Sequence, residues 1–165
     1  MTAEVRRVLS VAARSGRIGC VLLEGQTLKG WTTSERGARS AVAAVQRLRG
    51  WVRTFEPEVL VSENPDADSR KGGRQLSILR AFVEVGDDLA ILNLVVQRQR
   101  RFPNFYLEAA DLAGRFPDLA HEVPRKPPIW KKEPYRLVIF EALALARDAG
   151  LVGEDDAGCA ASPGD

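Results

Sequence analysis

The sequence predicts an α/β domain built on a five-stranded mixed sheet, three antiparallel strands plus two parallel ones, flanked by helices. Three observations carry this. Up to Thr32 the chain holds three β-runs separated by turns at Arg14-Ser15-Gly16 and Glu24-Gly25, the pattern of a meander. From about Ser40 the apolar residues switch to helical spacing. Beyond that point apolar runs of strand length alternate with helical segments, as expected of parallel strands joined by crossovers.

Taken in order, residues 5–12 read as the first strand, Ile18 to Leu23 as the second and Thr27 to Thr32 as the third. Val42, Val45, Leu48, Val52 and Phe55 recur on one face of a helix that Pro57 ends, with Arg47, Arg49 and Arg53 mostly off that face. Val59-Leu60-Val61-Ser62-Glu63 follows, uncharged until its last residue, so it reads as a central buried strand, and Pro65 stops the ladder. A polar loop from Asn64 to Gly73 leads into a helix over Gln75 to Val85, with Leu76, Leu79, Phe82 and Val83 on one face and Gly86 as its stop. Leu89 to Val96 is nearly all apolar and predicts a buried fifth strand. A helix from about Asn104 to Arg115, a Pro-rich connection from Pro117 to Pro134 and a last helix from Tyr135 to Asp148 complete the order β-β-β-α-β-α-β-α-α. That order is the one of a ribonuclease H-like domain.

With 165 residues, 45% hydrophobic and 28% charged, the chain can build one sizeable core. Residues 1–150 are read as the domain and 151–165 as an acidic tail of Gly, Ala, Ser and acids, expected to be disordered. No apolar run approaches a membrane span and no signal-peptide layout opens the chain, so a cytoplasmic protein is expected. Cys20 and Cys159 are too far apart and too few for a disulfide framework or a thiolate metal site. The net charge is +2, but the four acids of the tail hide a basic body, 24 Lys and Arg against 18 Asp and Glu. A basic body favours a polyanionic partner.

Two carboxylates stand out. Glu63 ends its strand at the mouth of the sheet, where open α/β sheets present ligands. Glu141 is the one charge in Leu137-Val138-Ile139-Phe140-Glu141-Ala142-Leu143-Ala144-Leu145-Ala146. A helix apolar all round is buried, and a carboxylate inside it needs a partner. Arg136 and Arg147 lie at the wrong spacing to pair with it along the helix. A metal ion held opposite Glu63 is the expectation; an arginine from another element or a solvent gap is the alternative. Glu133, just before Pro134, fits the electrostatics of a helix start, and Asp148 reads as surface. His121 has no nucleophile beside it and reads as a surface residue. Lys71-Gly72-Gly73 lacks phosphate-loop spacing, so a P-loop NTPase is unsupported.

Glu63, the Asp68-Ser69-Arg70-Lys71-Gly72 loop, the last-helix segment Phe140-Glu141-Ala142-Leu143-Ala144-Leu145-Ala146 and the hairpin Arg17-Ile18-Gly19 together resemble the RuvC-type Holliday-junction resolvases and their YqgF-type relatives. The resemblance implies a structure-selective endonuclease that hydrolyses DNA by a two-metal mechanism, with Glu63 and Glu141 as ligands of two Mg²⁺ or Mn²⁺ ions. It also implies branched DNA as partner and a homodimer, for which the Leu76, Leu79, Phe82 face is a candidate interface. The chain departs from the family where it matters most. Ala12 stands at the position of the first-strand aspartate that bridges both metals, and Arg14 replaces a glycine nearby. Three explanations stay open: a catalytically inactive nucleic-acid-binding protein on the same fold, a site rebuilt from Asp66 or Asp68, with Glu133 as a further acid, or an inactivating substitution.

Three basic groups are expected to line a nucleic-acid path near the carboxylates: Arg70, Lys71 and Arg74 after the fourth strand, Arg98, Arg100 and Arg101 after the fifth, and Arg125, Lys126, Lys131, Lys132 and Arg136 before the last helix. Phe102, Phe105, Tyr106, Trp130 and Tyr135 are interleaved with them, either as stacking platforms for bases or as core and loop anchors.

Overall fold

The computed structural model describes residues 6–14, 16–66, 72–99, 101–123, 134 and 136–152. Its strands are β1 (Arg7–Arg14), β2 (Arg17–Glu24), β3 (Thr27–Ser34), β4 (Val59–Glu63) and β5 (Leu92–Val96), and its helices α1 (Ala41–Phe55), α2 (Gly73–Asp88), α3 (Phe105–Arg115) and α4 (Leu137–Asp148). Short 3₁₀ turns cover Arg36–Ala38 and Pro117–Glu122. The sheet order is β3-β2-β1-β4-β5, antiparallel from β3 to β1 and parallel from β1 to β5. The fold class expected from the sequence, a ribonuclease H-like mixed sheet flanked by helices, is the one observed.

Alternation along the strands sorts the core into two layers. Leu9, Val11 and Ala13 of β1 join Leu60, Leu48, Trp51, Ile78, Leu79 and Phe82 under α1 and α2. Val8 and Ala12, with Val59 and Val61, face α3 and α4 on the other side. Helix α4 is buried on every side, as its composition requires. Gly19 makes its close approach to β2 possible, since a Cβ there would lie 2.8 Å from Val138 Cγ1. The β1–β2 hairpin closes between Arg14 and Arg17 around Gly16, whose φ of +77° suits glycine. Arg14, expected in the turn, is therefore the last residue of β1.

Four expectations are corrected. Val42 is 68% exposed, because α1 turns Ala44, Leu48 and Trp51 inward and the true stripe runs one step round from the one read. Helix α2 does not stop at Gly86 but runs to Asp88. Gly86 is there to admit Asn93 of β5, whose side-chain atoms would come within 2.3 Å of a Cβ. Strand β5 begins at Leu92 and is only half-buried, because it is the sheet edge rather than a central strand. The Leu79 and Phe82 face proposed for a dimer is fully buried against the chain's own sheet. Val152 is also buried in the core. The tail beyond it lies outside the described residues, as do Asp68, Arg70, Lys71, Arg100, Arg125, Lys126, Trp130, Lys131, Lys132, Glu133 and Tyr135. Among the described residues no helix is long and apolar enough to cross a membrane.

Candidate functional site

The site lies where β1, β4 and β5 end beneath α4. Glu63, at the tip of β4, is 4% exposed. Strands β1 and β4 pair Val8 with Val59, Leu9 with Leu60 and Ser10 with Val61, and the same offset continued sets Ala12 beside Glu63. Ala12 is fully buried, paired with Gly19 across the hairpin. Two residues back along β1, on the same face, Ser10 Oγ donates a hydrogen bond to the Ala142 carbonyl of α4 at 2.5 Å. That bond fixes α4 over β1 one residue from Glu141.

Glu141 is buried and meets two guanidinium groups. Arg14 Nη1 lies 3.7 Å from Oε1 and Arg98 Nε lies 3.5 Å from Oε2. Both guanidinium groups also rest on the ring of Phe105, at the start of α3, with Cζ 4.6 Å (Arg14) and 5.2 Å (Arg98) from its centroid. The loop after β5 thus delivers Arg98 inward. There it donates two hydrogen bonds to Glu108, at 3.0 and 3.1 Å, and one to Asp148 at 3.3 Å. Arg147 hydrogen-bonds the same two acids, and the backbone N–H of Gln99 donates to Asp148 at 2.9 Å. Burial works against the Arg98 charge, but the hydrogen bonds to Glu108 and the charges of Glu108, Glu141 and Asp148 outweigh it and raise its pKa above that of an ordinary arginine. Arg147 is raised for the same reason, through Glu108 and Asp148 against its own burial. Both stay cationic at every pH the fold survives.

Of the partners weighed for Glu141, arginines from other elements are the ones present, Arg14 from β1 and Arg98 from beyond β5. Arg98, read as a phosphate contact, has a side chain only 10% exposed and is bound to three carboxylates. Phe105, read as a base platform or an anchor, packs against the core and carries the two guanidinium groups on its ring. Asp148, read as surface, has a fully shielded side chain. Of the remaining expected nucleic-acid contacts, Arg74 and Arg101 are exposed, and Arg136 is half-exposed with a 3.0 Å ion pair to Glu122. His121 is exposed, as expected. Asp66 is exposed in a tight turn in which its backbone N–H donates to Asn64 Oδ1. Glu108 was missed altogether. Its signal is legible in retrospect, because it occupies the buried stripe of α3 with Ala109, Leu112 and Ala113.

The residues in place do not fit a pair of divalent ions. Among the described residues no three His, Cys, Asp or Glu side chains converge as a metal centre. Ala12 offers no ligand atom, and the cluster of Glu108, Glu141 and Asp148 is matched by Arg14, Arg98 and Arg147. A divalent cation would have to compete with guanidinium groups already paired to these three carboxylates.

The chain superposes on a fowlpox virus resolvase solved with Holliday junction DNA, covering 89% of this chain and 99% of that one, with TM-score 0.58 and 11% identity. This is the fold of the Holliday-junction resolvases. RuvC of T. thermophilus in complex with a Holliday junction shares it with TM-score 0.54 and 13% identity, over 85% of this chain and 90% of that one. A second structure of Thermus thermophilus RuvC matches at TM-score 0.50 and 13% identity, over 87% and 91% of the two chains. No protein-family model matches the sequence, and no curated protein matches it either.

Proposed function

We propose that the chain binds branched nucleic acid, four-way DNA junctions first, on a resolvase fold that no longer cuts by a metal-dependent route. One observation carries this reading: Ala12 stands beside Glu63 at the mouth of the sheet while Glu141, across from β1, is occupied by Arg14 and Arg98. A hydrolytic centre needs carboxylates available to a reaction, and here Glu141 is committed to holding the structure together. The partner follows from the neighbours, of which the fowlpox virus and T. thermophilus proteins were each solved on a Holliday junction. Exposed Arg74 at the start of α2 and Arg101 beyond β5 supply cationic contacts near the mouth, where they would read phosphates rather than bases.

The test is a pair of assays on a four-way junction and a duplex of equal length, with Mg²⁺ or Mn²⁺. The expected result is a retarded junction, bound more tightly than duplex and recovered uncut. Equal affinity for the duplex would remove branched DNA as the partner. Cleavage by the chain as it stands would restore the two-metal nuclease implied by the resemblance, with Asp66, Asp68 or Glu133 supplying the missing acid. Cleavage only by Ala12→Asp would show that one side chain separates binding from hydrolysis.

A further inference from the structure

Around Glu141 the chain has built its own cation. We infer that Arg14 and Arg98 replace a divalent metal as the counter-charge of the carboxylate centre, which makes it a metal-independent ion lock joining β1, the end of β5, α3 and α4. The inference rests on the proposed function in that both concern one site, but it concerns metal and not DNA.

The geometry supports replacement rather than chance proximity. Arg14 sits at the last position of β1, two residues beyond Ala12, on the strand face that Ser10 and Ala12 turn to α4. A methyl group at Ala12 leaves Glu141 without a carboxylate neighbour on β1, and the guanidinium of Arg14 reaches it instead. Arg98 arrives from the opposite side of the sheet mouth and is anchored by a two-pronged contact to Glu108, so it is rigid before it meets Glu141. The ring of Phe105 lies against both, fixing the two cations at one spot without adding charge. A metal entering here would have to displace guanidinium groups held by several other contacts. Guanidinium groups also cannot lose their protons at accessible pH, so the lock stays closed without a cofactor.

The full chain is stripped with EDTA and mixed with Mn²⁺, and the spin-resonance signal of free Mn²⁺ is followed alongside the melting temperature. The expected result is an undiminished Mn²⁺ signal and a melting temperature the same in EDTA as in millimolar Mn²⁺ or Mg²⁺. The double variant Ala12→Asp/Arg14→Gly restores an acid and removes one cation. It is expected to deplete the free Mn²⁺ signal and to melt at least about 3 °C higher with the ion than without it, as ligand linkage requires. Mn²⁺ uptake by the unaltered chain that Glu141→Gln abolishes overturns the inference. So does a folded double variant that takes up no Mn²⁺. The measurement on the unaltered chain decides the matter whether or not the double variant folds. Failure to bind junctions, with no metal uptake, would sink the proposed function and leave the lock standing; metal uptake with junction binding would do the reverse.

Discussion

Replacing Arg98 with methionine keeps much of the side chain's bulk and removes its charge, leaving Glu108, Glu141 and Asp148 facing two guanidinium groups instead of three. Each contact of Arg98, at 3.0 to 3.5 Å, carries a Coulomb attraction of about 5 kcal/mol at an effective dielectric near 20. Sparing one buried guanidinium its desolvation offsets a large part of that sum, and Arg147 still reaches Glu108 and Asp148. Removing one partner from a buried ionic cluster costs about 3–5 kcal/mol in net stability, because the orphaned carboxylates remain inside. For a domain of this size that corresponds to a melting temperature lower by roughly 10 °C. Urea denaturation of the unaltered chain and Arg98→Met measures it. Adding Glu108→Gln to Arg98→Met should return about 2 kcal/mol as coupling energy, since the two side chains share a two-pronged contact. A loss below about 1 kcal/mol, or no coupling, would refute the claim that this cluster is desolvated and mutually paired.

Gly19→Ala should cost about 1–3 kcal/mol by driving a Cβ into Val138 of α4, and Val138→Ala should recover part of it in the same denaturation experiment. Ser10→Ala removes the hydrogen bond to the Ala142 carbonyl and should cost about 1 kcal/mol, read in the same way. Burial pushes the Cys20 thiol well above its ordinary 9.0, against a smaller opposing effect from the Thr32 backbone. The folded protein therefore keeps the proton where the unfolded chain loses it. Stability should be flat up to about pH 8.5 and then fall by up to about 1.4 kcal/mol per pH unit, while a Cys20→Ala variant loses that slope. Gly86→Ala should expel Asn93, whose side chain donates to the Val83 carbonyl at 3.2 Å and to Asp87 at 3.0 Å, and should loosen the edge strand, seen as faster amide exchange in β5.

Much of the fold was legible because its signals are local. Period-two runs, Gly turns and a helix apolar on every face each report a backbone state or a burial state that the residues themselves enforce. The readings that failed depend on neighbours. Val42 and Ala44 are both apolar, and only the position of the sheet decides which one turns in. Leu92 to Val96 is apolar enough for a central strand, yet the sheet ends there. At the candidate site the sequence marked Glu141 as needing a partner, and the resemblance to resolvases drew attention to Ala12. It could not show that Arg14 and Arg98, separated by most of the domain in sequence, converge on Glu141, because ion pairing across elements leaves no periodic trace. Glu108 carried a weak trace, a charge in an apolar stripe, that pointed to burial without naming what it met.

Helix α4 comes last among the described elements, yet it packs on β1, β2, β3 and β4 of a sheet whose first strand begins at Arg7. Ser10 and Ala142 meet across 132 residues, and Arg98 reaches Asp148 of α4 across 50. On the ribosome, a nascent chain that has emerged as far as β5 can cover one face of its sheet with α1 and α2, while Val8, Val21, Val59 and Val61 lie bare on the other. Contacts this distant in sequence are made slowly and late. A chain cut before Leu137 would therefore leave that apolar face without its helix, the kind of surface that aggregates and recruits chaperones.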